Sequence, residues 1–257
     1  MTRRHLVILT ATVNPPANAH KLARSDPALR LNDYQAAWLY YLKQVTPFAD
    51  LLLVENSGFD MTCFQEAIAS LPATRAGRAT AIGCNLNDFP PEWGRGYGEF
   101  VLLNHLANTT DLTAYSYLWK VTGRVIVTNL ARLICTSPQD ADLYCDCRRP
   151  LSTYTHRRLT NGWMDMRVFG MSPRFFHAEI ANKFPQMKHP ETGVPEVFLF
   201  REIDKWKDRY TVCPRFRCTV WLKGHAGYDN KSFASLKQQC IYWARWACRG
   251  LTPWLWV

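Results

Sequence analysis

The chain has 257 residues, 47% of them hydrophobic and 20% charged, which excludes a disordered protein and is enough for one large core. The formal net charge is +10, from 31 Lys plus Arg against 21 Asp plus Glu; it favours anionic partners (nucleic acid, anionic lipid or phosphorylated substrates) without choosing among them. No apolar stretch is long enough to span a bilayer. Basic doublets such as Arg3-Arg4, Arg148-Arg149 and Arg157-Arg158 read as solvated faces. Nine cysteines without paired ligand spacing argue against structural zinc, Cys145 and Cys147 being one residue apart and Cys213 and Cys218 four apart. Met1-Thr-Arg-Arg-His leads directly into a strand-like run, so a reduced cytosolic chain is expected.

His5 to Val13 predicts a buried strand stopped by Asn14-Pro15-Pro16. Asp33 to Lys43 predicts a helix. Asp50 to Gly58 is a second buried strand running into turn residues. Thr62 to Leu71 is helical in composition, and Ala79 to Cys84 is a weaker third strand. Gly94-Arg-Gly-Tyr-Gly-Glu99 opens a helix through about Leu106. Tyr117 to Ile126 contains a strand, Asn129 to Ile134 a helix, and Asp142 to Asp146 and Trp163 to Phe169 further strands. Ser172-Pro173 caps a helix to about Lys183, with proline at its first position.

Asp229-Asn230-Lys231-Ser232 offers a helix start, and Phe233 to Arg249 follows as a helix before the Trp-rich end. Alternating strands and helices predict an α/β fold, a mostly parallel sheet with helices on both faces. The expected organisation is one domain over residues 1–231 and a C-terminal, amphipathic, Trp-rich helical extension over 232–257.

In such sheets ligands bind beyond the carboxyl ends of the strands. Thr10 to Pro16 and Glu55-Asn-Ser-Gly58 occupy two such ends. There Thr12, Asn14, Glu55, Asn56 and Ser57 are candidates to bond a base and ribose. Arg95 and Gly96 lie in the glycine-rich stretch, where backbone N–H groups and a helix dipole favour phosphate. The spacing is neither that of a P-loop nor of a dinucleotide fingerprint. Trp119-Lys-Val-Thr-Gly-Arg124 puts two cations, a hydroxyl and a glycine at a third end, so Lys120, Thr122, Gly123 and Arg124 are candidates to neutralise a diphosphate.

The ordered set Asn14-Pro-Pro, Asp33-Tyr34, Glu55-Asn-Ser-Gly58, Gly96-Tyr-Gly-Glu99, Lys120-Val-Thr-Gly-Arg124 and Asp165-Met-Arg167 resembles bacterial capsule and O-antigen glycosyltransferases, and among them the O-antigen galactofuranosyltransferase group. The likeness runs from about residue 7 to about residue 235. It implies a Rossmann-like GT-A-type fold, a nucleoside-diphosphate sugar donor (UDP-sugar, with UDP-galactofuranose as one form) and a polysaccharide or lipid-linked glycan acceptor. Inverting stereochemistry is implied only by this resemblance.

One departure from that pattern stands out. GT-A enzymes typically hold a divalent cation with Asp-x-Asp after the fourth strand, where this chain has Lys120 to Arg124. A metal-independent enzyme with no cofactor is therefore expected, magnesium or manganese remaining the rival. Asp142 and Asp146 are poor joint ligands, roughly 13 Å apart along an extended strand. An inverting transferase needs a base for the acceptor hydroxyl. Glu196, just before Val197-Phe-Leu-Phe200, is the first candidate, Asp165 the second and Glu191 the third. Arg167 and His225 are weaker candidates for acceptor or phosphate; Pro214-Arg-Phe-Arg217 and Lys223 add late cations.

Aromatics mixed with cations between Phe233 and Arg249 suit an interfacial helix on anionic lipid or one packed on the domain. The reading from another class, a basic nucleic-acid-binding α/β protein, has no recognition motif and only scattered positives behind it, so no nucleic acid is expected. Another GT-A enzyme with a different donor shares the class but not the substrate.

Overall fold

A computed structural model describes residues 3–16, 19, 22–149, 162–252 and 254–255. The Arg157-Arg158 doublet lies outside the described residues. Strand β1 (His5–Ala11) is apolar along nearly its whole length because it is covered on both sides. Leu6 and Ile8 enter one core, and Val7, Leu9 and Ala11 enter the other. This alternation makes the sheet a partition between two hydrophobic layers.

Among the described residues the strands in chain order are β1, β2 (Asp50–Glu55), β3 (Ala79–Gly83), β4 (Tyr117–Thr122), β5 (Ile126–Val127), β6 (Leu143–Tyr144), β7 (Cys147–Arg148), β8 (Trp163–Met164), β9 (Val168–Met171), β10 (Val212–Cys213) and β11 (Leu222–Lys223). The central sheet has the order β10-β6-β9-β4-β1-β2-β3. β1 pairs in parallel with β2 and β4, β2 with β3, and β10 with β6. β9 runs antiparallel between β4 and β6. The expected mostly parallel sheet with helices on both faces is what the chain forms. β5 with β11 and β7 with β8 make two small antiparallel pairs.

The helix Pro27–Gln44 lays Ala37, Trp38, Tyr41 and Leu42 on the Val7 and Leu9 face. It begins well before the expected Asp33, because Asp26 caps it by accepting from the N–H groups of Ala28 and Leu29, with Pro27 at the first position. The helix Gly94–Thr109 covers the opposite face with Phe100, Leu103 and Leu106. Burial of side chains of this size contributes about 1.5–3 kcal/mol each.

Other elements differ in detail. The Trp163–Phe169 stretch is two strands rather than one, interrupted at Asp165–Arg167 so that the Arg167 carbonyl receives the Thr122 N–H. Ser172 does cap the next turn, accepting from the Phe175 N–H, but the α-helical turn Pro173–Phe175 widens at once and ends in tight turns through Gln186. Val197–Phe200 belongs to the helix Pro195–Lys207, which buries Leu199, Ile203 and Trp206. The last helix, Leu236–Leu251, is capped by Ser235 and not by the Asp229–Ser232 segment.

Gly170 in β9 makes the fit between neighbouring strands of the sheet testable. A Cβ there would stand 2.6 Å from the Tyr117 ring and 3.2 Å from Trp119. Gly170→Val is expected to lower the unfolding free energy by about 1–3 kcal/mol through overpacking. Urea denaturation reads this directly, and an unchanged midpoint would contradict the packing.

Candidate active site

A cavity of about 340 Å³ opens beyond the carboxyl ends of β1 and β4 and the residue that follows β2. Its first wall is built on Thr12, just after β1. The Thr12 hydroxyl donates to Asn56 Oδ1 at 2.6 Å, and Asn56 Nδ2 donates to the Gly98 carbonyl at 3.2 Å. Tyr34, on the helix Pro27–Gln44, accepts the Thr12 N–H at 3.0 Å. Arg30, one turn earlier, donates to the carbonyls of Thr12 and Arg24 and to the Tyr34 hydroxyl.

Under this wall lies Glu55, fully buried. Its carboxylate accepts from the N–H groups of Val13, Ser57 and Phe59 and from the Ser57 hydroxyl, while Ser57 Oγ takes the Asn14 N–H. Glu55, Ser57 and Asn14 therefore shape the two loops and do not line the cavity.

The floor is an ion pair. Glu99, on the helix Gly94–Thr109, takes the Lys120 ammonium at 2.6 Å and the Thr10 hydroxyl at 2.6 Å. Lys120 also donates to the Met166 carbonyl at 2.6 Å and to the Thr122 hydroxyl at 3.2 Å. The expectation that Lys120 meets a diphosphate is corrected on physical grounds. The side chain is 0% exposed, every neighbour of its ammonium is a protein acceptor, and it does not line the cavity.

The glycine-rich stretch also differs from a phosphate-cradling loop. Gly94, Gly96 and Gly98 already lie in the helix; Gly94 takes a positive φ of 80° at its start, and Gly96 and Gly98 are small because neighbours crowd them. A Cβ on Gly96 would stand 2.1 Å from the Pro195 ring, and one on Gly98 would stand 2.7 Å from Phe89. The close approach of Gly96 to Pro195 sets Glu196 against the cavity. Gly123 serves similarly: it donates its N–H to the Thr10 carbonyl, with no room for a side chain.

The remaining wall carries charge. Arg95 and Arg124 line the cavity, Arg124 donating to the His225 carbonyl and Arg95 lying 5.9 Å over the Tyr228 ring. Burial pushes the Arg124 guanidinium below its ordinary range, and its neighbours Arg30 and Arg95 push the same way. Neither Arg30, Arg95 nor Arg124 makes an ion pair with a carboxylate among the described residues. His225 itself stands outside the lining, its Nδ1 buried without a hydrogen-bond partner among the described residues.

Asp165 and Arg167 do face the cavity, bonded to each other. Asp165 also pairs with Arg148 at 2.9 Å. Burial alone would raise its carboxyl, yet Arg167 and Arg148 outweigh burial and hold it well below the usual carboxylate range. A carboxylate so held is a weak base. Glu196 lines the cavity without an ion pair or hydrogen bond among the described residues, while Glu191 is exposed and stands near Lys188.

The donor set does not fit a divalent cation held by carboxylates. Of the lining carboxylates, Glu99 is committed to Lys120 and Asp165 to two arginines, leaving Glu196 alone. Asp142 is occupied by Ser172 and Arg174, and Asp146 by Arg148 and Arg249. Among the described residues, no group of His, Cys, Asp and Glu has metal-binding geometry.

Of the residues the sequence singles out, Thr12, Asn56, Arg95, Gly96, Thr122, Arg124, Asp165, Arg167 and Glu196 line one cavity. Sequence reasoning did not select Arg30, Tyr34, Glu99 or Tyr228. Tyr34 and Glu99 were within reach, as they sit inside the motifs that carried the resemblance.

Asp165→Asn should cost about 3–5 kcal/mol at neutral pH, because it strands buried guanidinium charge. A depressed carboxyl contributes stability above the unfolded aspartate value, about 4, and loses it as pH falls further. The parent should therefore lose stability below about pH 4 more steeply than Asp165→Asn. Urea titrations across pH 2–7 check both, and parallel curves would remove Asp165 as the source.

No known protein family matches the sequence, and no curated protein does. Solved structures do resemble the fold. The galactosyltransferase LgtC, in complex with donor and acceptor sugar analogs, superimposes with a TM-score of 0.50 at 13% identity, over 82% of this chain and 72% of that one. The inositol-1-phosphate CTP transferase from T. maritima gives a TM-score of 0.50 at 12% identity, over 94% of each chain. At these identities the likeness is one of fold, and the fold is the Rossmann-like, GT-A-type sheet.

Proposed function

We propose that the protein is a glycosyltransferase that moves a sugar from a nucleoside-diphosphate donor to a hydroxyl of a glycan. The observation that carries this is the set of three cavity arginines, Arg30, Arg95 and Arg124, none of which makes an ion pair with a carboxylate among the described residues. A cavity with surplus guanidinium charge suits a diphosphate, and suits it best as the leaving group gains charge. Thr12, Tyr34 and Asn56 supply hydrogen-bonding groups for base and ribose at the first wall. Both solved structures of like fold have names or bound groups that involve nucleotides or sugars, in keeping with this reading.

In the proposed reaction the acceptor oxygen attacks the anomeric carbon, the bond from that carbon to the diphosphate breaks, and Glu196 takes the hydroxyl proton. That order is inverting. The arginines carry out the charge work, so the reaction proceeds without a divalent cation. Lys120 is a positioning residue that holds Glu99 and Thr122 in place. The donor is a UDP-sugar, UDP-galactofuranose being one form. The acceptor is a polysaccharide or lipid-linked glycan of surface polysaccharide synthesis, at the cytoplasmic face of a membrane. Arg30, Arg95 and Arg124 converge inside a cavity, and the sequence carries no nucleic-acid recognition motif, which favours the transferase over the nucleic-acid reading.

A thermal-shift panel of UDP, GDP, CMP and dTDP, each with magnesium, with manganese or with EDTA, tests donor and metal together. A shift with one nucleotide that survives EDTA is expected; a shift seen only with metal removes metal independence. Product analysis tests the chemistry, because sugar transfer releases a nucleoside diphosphate, whereas pyrophosphate release from a nucleoside triphosphate would mean nucleotidyl transfer instead.

Glu196→Gln should lower kcat by about 10²–10⁴ while leaving the donor KM nearly unchanged. Full activity in that variant would overturn the assignment. Gly96→Ala, which pushes against Pro195 and so moves Glu196, should cost about 100-fold in kcat in a folded protein.

A further inference from the structure

We infer that the C-terminal helix Leu236–Leu251 is a docking face for an anionic lipid bilayer. Of its side chains only Tyr242 is fully buried. The inner side is tied down by Gln239 Nε2 to the Phe233 carbonyl and by Arg249 to Asp146. The outer side is apolar and open to water. Leu236 is 86% exposed, Trp243 and Trp246 are 57% each, Leu251 is 79%, and Trp254 just beyond is 69%. The steps from 236 to 240, 243, 247 and 251 keep one face of the helix, exposed Gly250 lies on it too, Trp246 sits at its edge and Trp254 follows just beyond the helix end. A continuous apolar face of this kind calls for a partner.

Charge identifies the partner. From Asn230 to Val257 the sequence contains no Asp or Glu, while Lys231, Lys237, Arg245 and Arg249 all fall within it. The groove beside the helix is lined by Arg132, Arg217 and Arg249 together with Trp221, Trp243 and Trp246, and by no carboxylate. Arg132 and Arg217 are exposed, with no side-chain ion pair among the described residues. A second copy of this chain would bring the same cations to a self-complementary contact, which repels. An anionic bilayer meets each feature at once. Leucine enters the acyl boundary, tryptophan sits at headgroup level, and the exposed Arg132 and Arg217 guanidiniums face lipid phosphates. Sixteen residues span about 24 Å lying in the plane. No described helix is long and apolar enough to cross a membrane, so the helix lies on the surface.

The docking face is coupled to the cavity. Phe233 lines the cavity three residues before the helix starts. An unbroken chain of ion pairs, Arg249–Asp146–Arg148–Asp165–Arg167, runs from the helix to the cavity wall. Docking would therefore hold the cavity next to an acceptor carried on lipid. That purpose rests on the transferase reading; the surface does not.

Flotation of the full chain with phosphatidylcholine vesicles, with and without phosphatidylglycerol, tests the surface without reference to catalysis. The parent should float with the anionic vesicles and less so as salt rises. Trp243→Ser/Trp246→Ser should bind about tenfold more weakly or worse, and Arg132→Glu/Arg217→Glu should lose the preference for phosphatidylglycerol. Both pairs are exposed and lie outside the cavity, so the melting temperature and any turnover on a soluble acceptor should match the parent. Equal flotation by parent and tryptophan variant would overturn the inference. So would flotation indifferent to phosphatidylglycerol, a parent dimer that the tryptophan variant abolishes, or tryptophan emission that responds to a soluble anionic polysaccharide but not to vesicles.

Discussion

The buried pair of Lys120 and Glu99 is the contact on which the rest of the site depends. A charge placed within a central strand, with no exposed surface, is unfavourable by several kcal/mol unless it is fully paired. Lys120 satisfies that condition with acceptors from three different elements: Glu99 from a covering helix, Thr122 from its own strand, and the Met166 carbonyl from the break between β8 and β9. Glu99 in turn holds Thr10 at the end of β1. One ammonium therefore fixes the relative positions of both strand ends, the helix and the Asp165–Arg167 segment. An apolar side chain at position 120 could fill the space but would release all of them.

The other buried carboxylates are spent in the same way. Glu55 organises the loops after β1 and β2, and Asp146 and Asp165 neutralise Arg148, Arg167 and Arg249. With the acids so committed, Arg30, Arg95 and Arg124 are left facing the cavity with carbonyls, a hydroxyl and an aromatic ring as their partners. The positive field is thus a consequence of where the fold places its carboxylates. Glu196 escapes because it sits in the first turn of a helix whose start is pressed into place by Gly96.

Much of this was legible in the chain, for reasons that differ by residue. Continuous apolar runs mark β1, β2 and β4, because strands covered on both faces have no polar side to show. Thr12, Asn56, Thr122 and Arg124 follow those runs directly, so strand ends alone locate them. Lys120 was misjudged because nearness to a strand end is not the same as facing the ligand. It pairs with Ile8 and shares the face of Leu6, Ile8 and Leu118, which the helix Gly94–Thr109 covers. Arg30 stayed hidden because the helix carrying it begins at the Asp26-Pro27 signal, several residues before its apolar pattern becomes evident. The glycines at 94, 96 and 98 looked like a phosphate loop, whereas the smallness of Gly96 answers to Pro195, that of Gly98 to Phe89, and that of Gly94 to its positive φ at the helix start.

Guanidinium charge differs from the charge of a bound ion in one structural respect: its position is set by the acceptors that hold it. Arg30 is held by the carbonyls of Thr12 and Arg24, and Arg124 by the carbonyl of His225. Arg24 connects these holders. It pairs with Asp33 at 2.6 Å, reaches the Asn230 side chain, and gives its own N–H to the Gly227 carbonyl. The loop after β1, the approach to the helix Pro27–Gln44 and the segment 225–230 are therefore joined around the arginines. Any anion that engages Arg30 and Arg124 together acts on that whole assembly, so the geometry of charge and the order of the loops are a single property. A metal-bound diphosphate would place its charge largely independently of these loops. In this chain the loops and the charge have to be built together.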